Sequence, residues 1–208
     1  MVTTMRTRRD EQRARTREDL LESAAIVFAR NGYHSTSVDE VAEAAGYTKG
    51  AVYSNFRSKE ELFLQLLDRR IDRTVEQLEE VLLSSSPEQR PQLLGEMRDS
   101  MVVLDRDWFL LQAEFQLYAA RNEEVRERVA DRQRRTRERI ADLVRSHLDD
   151  LGVTEPQVPV AELAQLMTAA SSGLTMCGLV DDEMAAESGH LMAQLARLLG
   201  DALAAPEA

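Results

Sequence analysis

The stretch from Gly32 to Phe63 reads GYHSTSVDEVAEAAGYTKGAVYSNFRSKEELF and contains the start and end signals of two short helices. Ser37 and Glu40 form a capping box. In such a box the serine hydroxyl accepts from the glutamate N–H, and the glutamate carboxylate accepts from the serine N–H. Gly46 supplies the left-handed residue that ends a helix at low cost, and Thr48 can cap the next helix. Two short helices around a glycine turn predict a helix-turn-helix.

The rest of the chain predicts an all-α fold of about nine helices. Apolar residues recur at three- and four-residue spacings, and no stretch shows the alternation of a strand. The first helix is expected from about Asp10 to Asn31. Ser58 and Glu61 form a second capping box, which predicts a long fourth helix that ends near Leu83. The later helices are expected at about residues 87–104, 107–120, 122–150, 160–179 and 181–204.

The helix-turn-helix stretch resembles the DNA-binding domain of the TetR family of bacterial transcriptional regulators. The resemblance is carried by Ala42 with Gly46 four residues on, by the TKGAVYSNF segment that begins at Thr48, and by the SKEELF segment that begins at Ser58. It implies a DNA-binding domain at residues 1–57, with the helix-turn-helix at about 37–56. It further implies a ligand-binding and dimerisation domain at residues 58–208.

The second short helix has the two faces that major-groove binding needs, because an α-helix only just fits that groove. Val52 and Phe56 form the apolar back, and the front is polar or short-chained. Lys49 and Asn55 are the candidates for reading base edges, whereas a structural helical hairpin is the disfavoured alternative. By resemblance, phosphate contacts are expected from hydroxyl, phenol and ammonium groups. The predicted DNA-binding residues are Thr36, Ser37, Thr48, Lys49, Gly50, Ala51, Tyr53, Ser54, Asn55 and Lys59.

The net charge of −11 is unevenly distributed along the chain. Residues 1–60 hold 10 Lys and Arg against 9 Asp and Glu, whereas residues 61–208 hold 16 against 28. DNA therefore repels the acidic part of the chain but not the N-terminal part. A single cysteine, an Arg-rich start without an apolar core, and the lack of a long apolar run predict a soluble intracellular protein with no membrane contact. The resemblance implies the cytoplasm of a bacterium, with the protein on the nucleoid when it is bound to its operator.

Aromatic residues, methionines and hydroxyl groups concentrate in the fifth, sixth and eighth helices. Such side chains suit a pliable apolar pocket, although for any one of them an ordinary core position is the favoured interpretation. The family resemblance implies an effector site in this region. The predicted ligand-binding residues are Met97, Met101, Trp108, Gln112, Phe115, Tyr118, Met167, Ser171 and Met176.

Three further features favour structural rather than chemical roles. The seventh helix carries seven Arg between Arg126 and Arg139, but interleaved acids favour a salt-bridged face over a nucleic-acid surface or a clamp for an acidic ligand. Cys177 has no basic neighbour in the sequence and is predicted to be a small buried apolar residue. The three histidines have no metal-ligand spacing, so neither a metal nor a cofactor is expected.

Small residues in the eighth helix, from Ala169 to Gly173, allow another helix to approach closely, and the ninth helix offers an apolar stripe. These two helices can pack within the chain or form a four-helix interface between two copies. The resemblance favours a homodimer through helices 8 and 9. Palindromic half-sites in DNA call for the same two-fold symmetry.

These features predict a homodimeric repressor that binds a palindromic operator in double-stranded DNA and that a small apolar or aromatic ligand releases. The fourth helix is expected to couple the two sites, because it begins at the DNA-binding domain and continues into the other. A regulator with a protein effector or no effector, or an activator, is the alternative. An enzyme is disfavoured, because no catalytic Ser/His/Asp, Cys/His or paired-carboxylate arrangement stands out.

Overall fold

The computed structural model describes residues 8–104 and 106–204, with the side chains of residues 8–99 and 106–200. Within these residues the chain forms nine helices and no strand, which confirms the predicted all-α fold. No helix among the described residues is long and apolar enough to cross a membrane. The helices are α1 (Arg8–Asn31), α2 (Val38–Ala44), α3 (Lys49–Asn55), α4 (Lys59–Ser84), α5 (Arg90–Leu104), α6 (Arg106–Arg121), α7 (Glu123–Asp150), α8 (Val160–Gly178) and α9 (Asp182–Ala204).

The ends of the two short helices follow from local signals. Ser37 Oγ accepts from the Glu40 N–H at 3.2 Å, and the Glu40 carboxylate accepts from the Ser37 N–H at 2.7 Å, which confirms the first capping box. The backbone bond to Ser37 lowers the pKa of the Glu40 carboxyl. Gly46 ends α2 with φ +71°, and Thr48 Oγ1 caps α3 by accepting from the Ala51 N–H. The first turn of each helix is therefore bonded by the side chain of the residue just before it.

The capping box at α4 is only half formed. Ser58 Oγ accepts from the Glu61 N–H at 3.1 Å, as predicted. The Glu61 carboxylate, however, accepts from the N–H of Arg57 at 3.0 Å rather than closing the box on Ser58. The acid thus satisfies a free donor one residue earlier in the loop.

Contacts divide the chain into two compact units. The first is Met1–Arg70 with Leu110–Val125, and the second is Ile71–Phe109 with Arg126–Ala208. These units are defined by contacts between residues and not by function. The functional division between residues 57 and 58 stays a prediction.

The core of the first unit is built around aromatic rings. Phe63 of α4 and Phe115 of α6 lie 4.4 Å apart between ring centroids, and Phe28 of α1 lies 5.1 Å from Phe63. Tyr33, in the loop after α1, lies 4.9 Å from Phe115. These four rings are buried, so α6 shares this core with α1, α4 and the loop after α1.

Helices α5 and α9 of the second unit cross at two glycines. A Cβ added at Gly189 would lie 2.2 Å from Asp99 Oδ1 and 2.3 Å from the Gly95 carbonyl oxygen, distances that no side chain tolerates. Asp99 Oδ1 also accepts from the Gly189 N–H at 2.7 Å. Glycine at these positions is what allows the two backbones to approach.

Arg90 joins three segments of the second unit. Its buried guanidinium donates to the Leu82 carbonyl near the end of α4 at 2.7 Å, and it pairs with Asp150 at the end of α7 at 2.7 Å. It also lies 3.0 Å from His147 Nδ1. A cation at these two helix ends balances carbonyl groups that have no partner within their own helices.

Candidate functional site

Helix α3 presents a polar face to solvent and an apolar face to the core. Val52 and Phe56 are buried behind it. Tyr53 is nearly half exposed, and the first helical residue, Lys49, is exposed as well. This is the arrangement that a helix needs in order to enter the major groove. The other exposed residues on this side are Thr48, Gly50 and Ser54, while Ala51 and Asn55 are partly buried.

Two of the predicted DNA-binding side chains, Thr36 and Asn55, have polar atoms that are buried within the protein. Thr36 is 2% exposed and donates its hydroxyl to the Gly32 carbonyl at 2.8 Å, so its hydroxyl does not face solvent. Asn55 donates Nδ2 to the Ala51 carbonyl at 2.8 Å, and its Oδ1 is buried. Asn55 can read a base edge only after this bond opens. Ser37, by contrast, is exposed at the start of α2.

Lys59 lies at the first turn of α4, on top of the Tyr33 ring. Its Nζ is 4.6 Å from the ring centroid and donates to the His34 carbonyl at 3.2 Å. Burial lowers the pKa of the ammonium group, although Glu60 and Glu40 counter the effect. These contacts fix the ammonium group beside the loop that leads into α2.

The second half of α6 is bonded to the same loop and to α4. Tyr118 donates its hydroxyl to Glu60 at 3.0 Å, and Glu114 accepts from the backbone N–H of Tyr33 at 2.9 Å. Burial, followed by the charge of Glu60, raises the pKa of the Tyr33 phenol. The phenol therefore stays protonated. The two hydrogen bonds from α6 connect this helix to the loop and to the first turn of α4, where Lys59 lies.

Two arginines of α1 hold the end of α3, and the sequence did not single them out. Arg17 donates to the Asn55 carbonyl at 2.7 Å and stacks its guanidinium 4.5 Å from the centroid of the Phe56 ring. Arg13 donates to the Ser54 carbonyl at 3.2 Å. These are carbonyls of the last turn of α3, which have no partner within the helix. A basic pattern in α1 was visible, but no sequence signal indicates a bond to a backbone atom.

Lys49 is paired with Asp39, the second residue of α2. The Lys49 Nζ lies 2.7 Å from Asp39 Oδ2, and both side chains are exposed. The hydrogen bond with Asp39, and then its charge, raises the pKa of Lys49. The pair links the first turns of the two helices on the outside of the motif.

The predicted effector residues fall into both contact units. Gln112, Phe115 and Tyr118 belong to the first unit. Phe115 and Tyr118 belong to the aromatic cluster around Tyr33, at 4.9 and 5.0 Å from its ring. The side chain of Met101 lies outside the described residues. In the second unit Trp108 is buried, Met97, Met167 and Ser171 are partly buried, and Met176 is exposed.

Arg98 is a second residue that the sequence did not single out. Its guanidinium donates to Ser171 Oγ at 2.5 Å, to the Ser171 carbonyl at 2.9 Å and to Thr175 Oγ1 at 2.9 Å. Burial lowers the pKa of this group. A cation is thus bonded to neutral oxygens of α8, beside one of the predicted effector residues.

An apolar stripe of α8 is exposed in the single chain. Leu166 is 58% exposed, Met176 52%, and Val180, just past the helix end, 89%. Gly173 lies on the same face, and a Cβ there would meet no atom within 4 Å. Cys177 is also exposed, so the prediction that it is buried is wrong for the single chain. Leu198 of α9 is 67% exposed.

The arginines of α7 divide between the surface and the interior. Arg134 pairs with Asp131 at 2.8 Å, and Arg139 pairs with Asp72 of α4. Arg132 is buried, which the interleaved charges did not predict. The Arg134–Asp131 pair, three residues apart on α7, is the kind of contact that the salt-bridged interpretation expects, whereas Arg139 pairs with a different helix.

Comparison with known proteins gives matches over most of the chain. A family model described as bacterial regulatory proteins, tetR family, matches residues 20–66. A second model, described as the C-terminal part of BetI-type transcriptional repressors, matches residues 100–204. An uncharacterized helix-turn-helix-type transcriptional regulator, YfiR of Bacillus subtilis, is 26% identical over 189 residues, which are 87% of this chain and 88% of YfiR.

Solved structures share the fold along the chain. FadR from Bacillus subtilis in complex with stearoyl-CoA has a TM-score of 0.68 at 19% identity, covering 86% of this chain and 96% of that chain. A transcriptional regulator from Saccharomonospora viridis in complex with choline has a TM-score of 0.65 at 23% identity, covering 88% and 94%. At these identities the likeness shows the fold alone.

Proposed function

Since the chain belongs to the tetR family of bacterial regulatory proteins and is a DNA-binding transcriptional regulator, we propose that it is a dimeric repressor released from a palindromic operator by a small apolar or aromatic ligand. The observation that carries this proposal is the outer face of α3. Its exposed polar and small residues stand in front of buried Val52 and Phe56. A helix of this kind reads base edges while the residues around it fix its register on the phosphates.

Phosphate contacts are assigned to the exposed hydroxyls of Ser37 and Thr48, to Tyr53 and to Lys59. The N-termini of α2 and α3 add backbone N–H groups that favour anions. Lys59 is supported by its fixed position, because the Tyr33 ring and the His34 carbonyl hold its ammonium group. Lys49 is assigned to base edges. Thr36 is assigned a supporting role, because its buried hydroxyl anchors the loop before α2 and does not reach DNA.

The second copy of the chain is proposed to cover the exposed stripe of α8 together with α9. Among the described residues, Leu166, Met176 and Val180 are each more than half exposed, and Gly173 lies on the same face with room for a Cβ. A two-fold axis through such a face makes an isologous interface. The resulting dimer would present two α3 helices to two half-sites of DNA.

The effector is proposed to bind within the second unit, near Trp108 at the start of α6 and the partly buried side chains of α5 and α8. FadR was solved with stearoyl-CoA and the Saccharomonospora viridis protein with choline, so relatives of this fold bind small molecules of different charge. Helix α4 is the proposed coupling element. It is one continuous helix whose first residues belong to the unit that contains α3 and whose remainder belongs to the other.

Lys59→Ala is expected to weaken binding to operator and to mismatched DNA alike. The loss of one charge-assisted contact costs roughly 1 kcal/mol or more, which is about fivefold in affinity. The slope of log affinity against log salt should fall by about 0.9, because one phosphate contact is lost. Arg30→Ala is the control, since it removes a positive charge from the C-terminal turn of α1. The docking assignment fails if a folded Lys59→Ala protein keeps both affinity and slope.

Effector binding is expected to change the fluorescence of Trp108, the only tryptophan, in a saturable way. The probes are stearoyl-CoA, choline and an apolar aromatic dye. A ligand that releases the operator must bind more weakly in the presence of operator DNA, by the same factor. A coupling of about 2 kcal/mol would be roughly 30-fold in each direction. Operator binding that no small molecule weakens would instead favour a protein effector or none.

A further inference from the structure

The Lys49–Asp39 pair places a donor and an acceptor side by side on the outer surface of the motif. Lys49 is the first residue of α3 and Asp39 the second of α2, so two separate helices position the pair. The Nζ and Oδ2 atoms lie 2.7 Å apart, and more than half of each side chain is exposed. Exposed pairs of this kind contribute little to folding. The pair is therefore available for another role.

A carboxylate on a DNA-binding surface lowers the affinity for DNA unless it accepts a hydrogen bond from a base. The phosphates repel Asp39, and the only donors in the major groove are the amino groups of cytosine and adenine. In a G·C pair the cytosine N4 donor lies next to the guanine O6 acceptor. The two are joined by a base-pairing hydrogen bond of about 2.9 Å. The Lys49–Asp39 spacing of 2.7 Å matches that separation.

We propose that Lys49 and Asp39 read one G·C base pair as a unit, with Lys49 donating to guanine O6 and Asp39 accepting from cytosine N4. The proposal rests on the proposed function and assigns Asp39 a role in sequence specificity. Both groups keep the capacity for these bonds while they remain paired. An ammonium group has three donors, and a carboxylate has about four acceptor sites.

The pairing also explains why Lys49 reads a base rather than a phosphate. With Asp39 attached, the pair carries no net charge, so the phosphates attract it weakly. Tyr53 and Lys59 then remain to contact the phosphates of the DNA backbone. Removing Asp39 would free the Lys49 ammonium group for any nearby phosphate, and specificity would fall while the salt dependence rises.

The test begins with selection of the preferred operator from random duplex DNA by the wild-type dimer. Affinities are then measured for operators changed at each base pair. We expect one G·C pair per half-site at which the wild type discriminates by roughly 5- to 150-fold. Asp39→Ala and Lys49→Met should each abolish discrimination at that pair and retain it elsewhere. In Asp39→Ala the slope of log affinity against log salt should steepen by up to about 0.9.

A modified operator isolates the single contact. N4-methylcytosine still pairs with guanine, but its methyl group replaces the amino hydrogen that faces the major groove. This change should weaken wild-type binding about fivefold or more and leave Asp39→Ala unaffected. Glu43→Ala is the matched control. It removes a negative charge from the same helix, α2, at a residue that lines a groove against Ile26 and Val27 of α1.

Three results would overturn the inference. One is a wild-type protein that tolerates N4-methylcytosine at every position. Another is an Asp39→Ala protein that binds all DNA more tightly with unchanged base preference, because Asp39 would then only repel phosphates. The third is a loss of discrimination at the G·C pair in Lys49→Met but not in Asp39→Ala. If the wild type selects no symmetric sequence from the random DNA, the proposed function itself fails.

Discussion

Replacing Phe115 by alanine is expected to lower the free energy of unfolding by about 3–5 kcal/mol. The side chain is 1% exposed and fills the space among Phe63, Tyr33 and Tyr118, with centroid distances of 4.4, 4.9 and 5.9 Å. Its removal leaves a cavity in a core that α1, α4 and α6 share. Operator binding should weaken as well, because Tyr33 lies in this core and supports Lys59.

Chemical denaturation followed by circular dichroism measures the effect. Leu117→Ala is the control, since Leu117 is on the same helix and largely exposed, and its loss should change stability by no more than about 0.5 kcal/mol. Equal unfolding midpoints for the two variants would contradict the packing described for α6. Because Phe115 belongs to this core, its alanine variant is a poor probe of effector affinity alone.

Gly173→Arg is expected to convert the dimer into a folded monomer and to weaken operator binding by about 100-fold or more. A Cβ at residue 173 would meet no described atom within 4 Å, so we expect the variant to fold. In the proposed interface, however, two unpaired charges would be buried at the two-fold contact. A monomer loses the second half-site and with it a gain in affinity of about 10²- to 10⁴-fold.

Sedimentation velocity and operator binding at matched concentrations measure both effects. Ala130→Arg is the control, since Ala130 is exposed on α7, outside the proposed interface. A wild-type protein that sediments as a monomer at micromolar concentration would remove the premise. A Gly173→Arg protein that stays dimeric would place the interface elsewhere on the chain.

The features that the sequence predicted correctly are those set by neighbours along the chain. The capping box of Ser37 and Glu40, the left-handed Gly46 and the cap at Thr48 involve residues at most three apart. Their geometry follows from hydrogen bonds between a side chain and the nearby backbone and from the freedom of glycine at positive φ, which are the same in any fold. The number of helices was predicted from apolar spacing, and the limits of the described helices agree to within a few residues, with α5 beginning at Arg90 instead of near residue 87.

What the sequence could not predict depends on which surfaces meet. Helical spacing showed that Phe115 and Tyr118 share an apolar side of α6, but not that Phe28, Tyr33 and Phe63 pack against it. Periodicity identifies a face and carries no information about its partner. The DNA-contact and effector residues stay predictions, although Thr36 and Asn55 are engaged internally.

Arg13 and Arg17 have a consequence for how new DNA targets can arise. They hold α3 by the carbonyl oxygens of Ser54 and Asn55, and a carbonyl oxygen is present whatever side chain its residue carries. Substitutions on the outer face of α3 can therefore change the bases that are read without loosening the helix from α1. A gene duplicate of this regulator could acquire a different operator in single steps and remain folded at each step. The same anchors make α3 a suitable site for installing a chosen specificity by design.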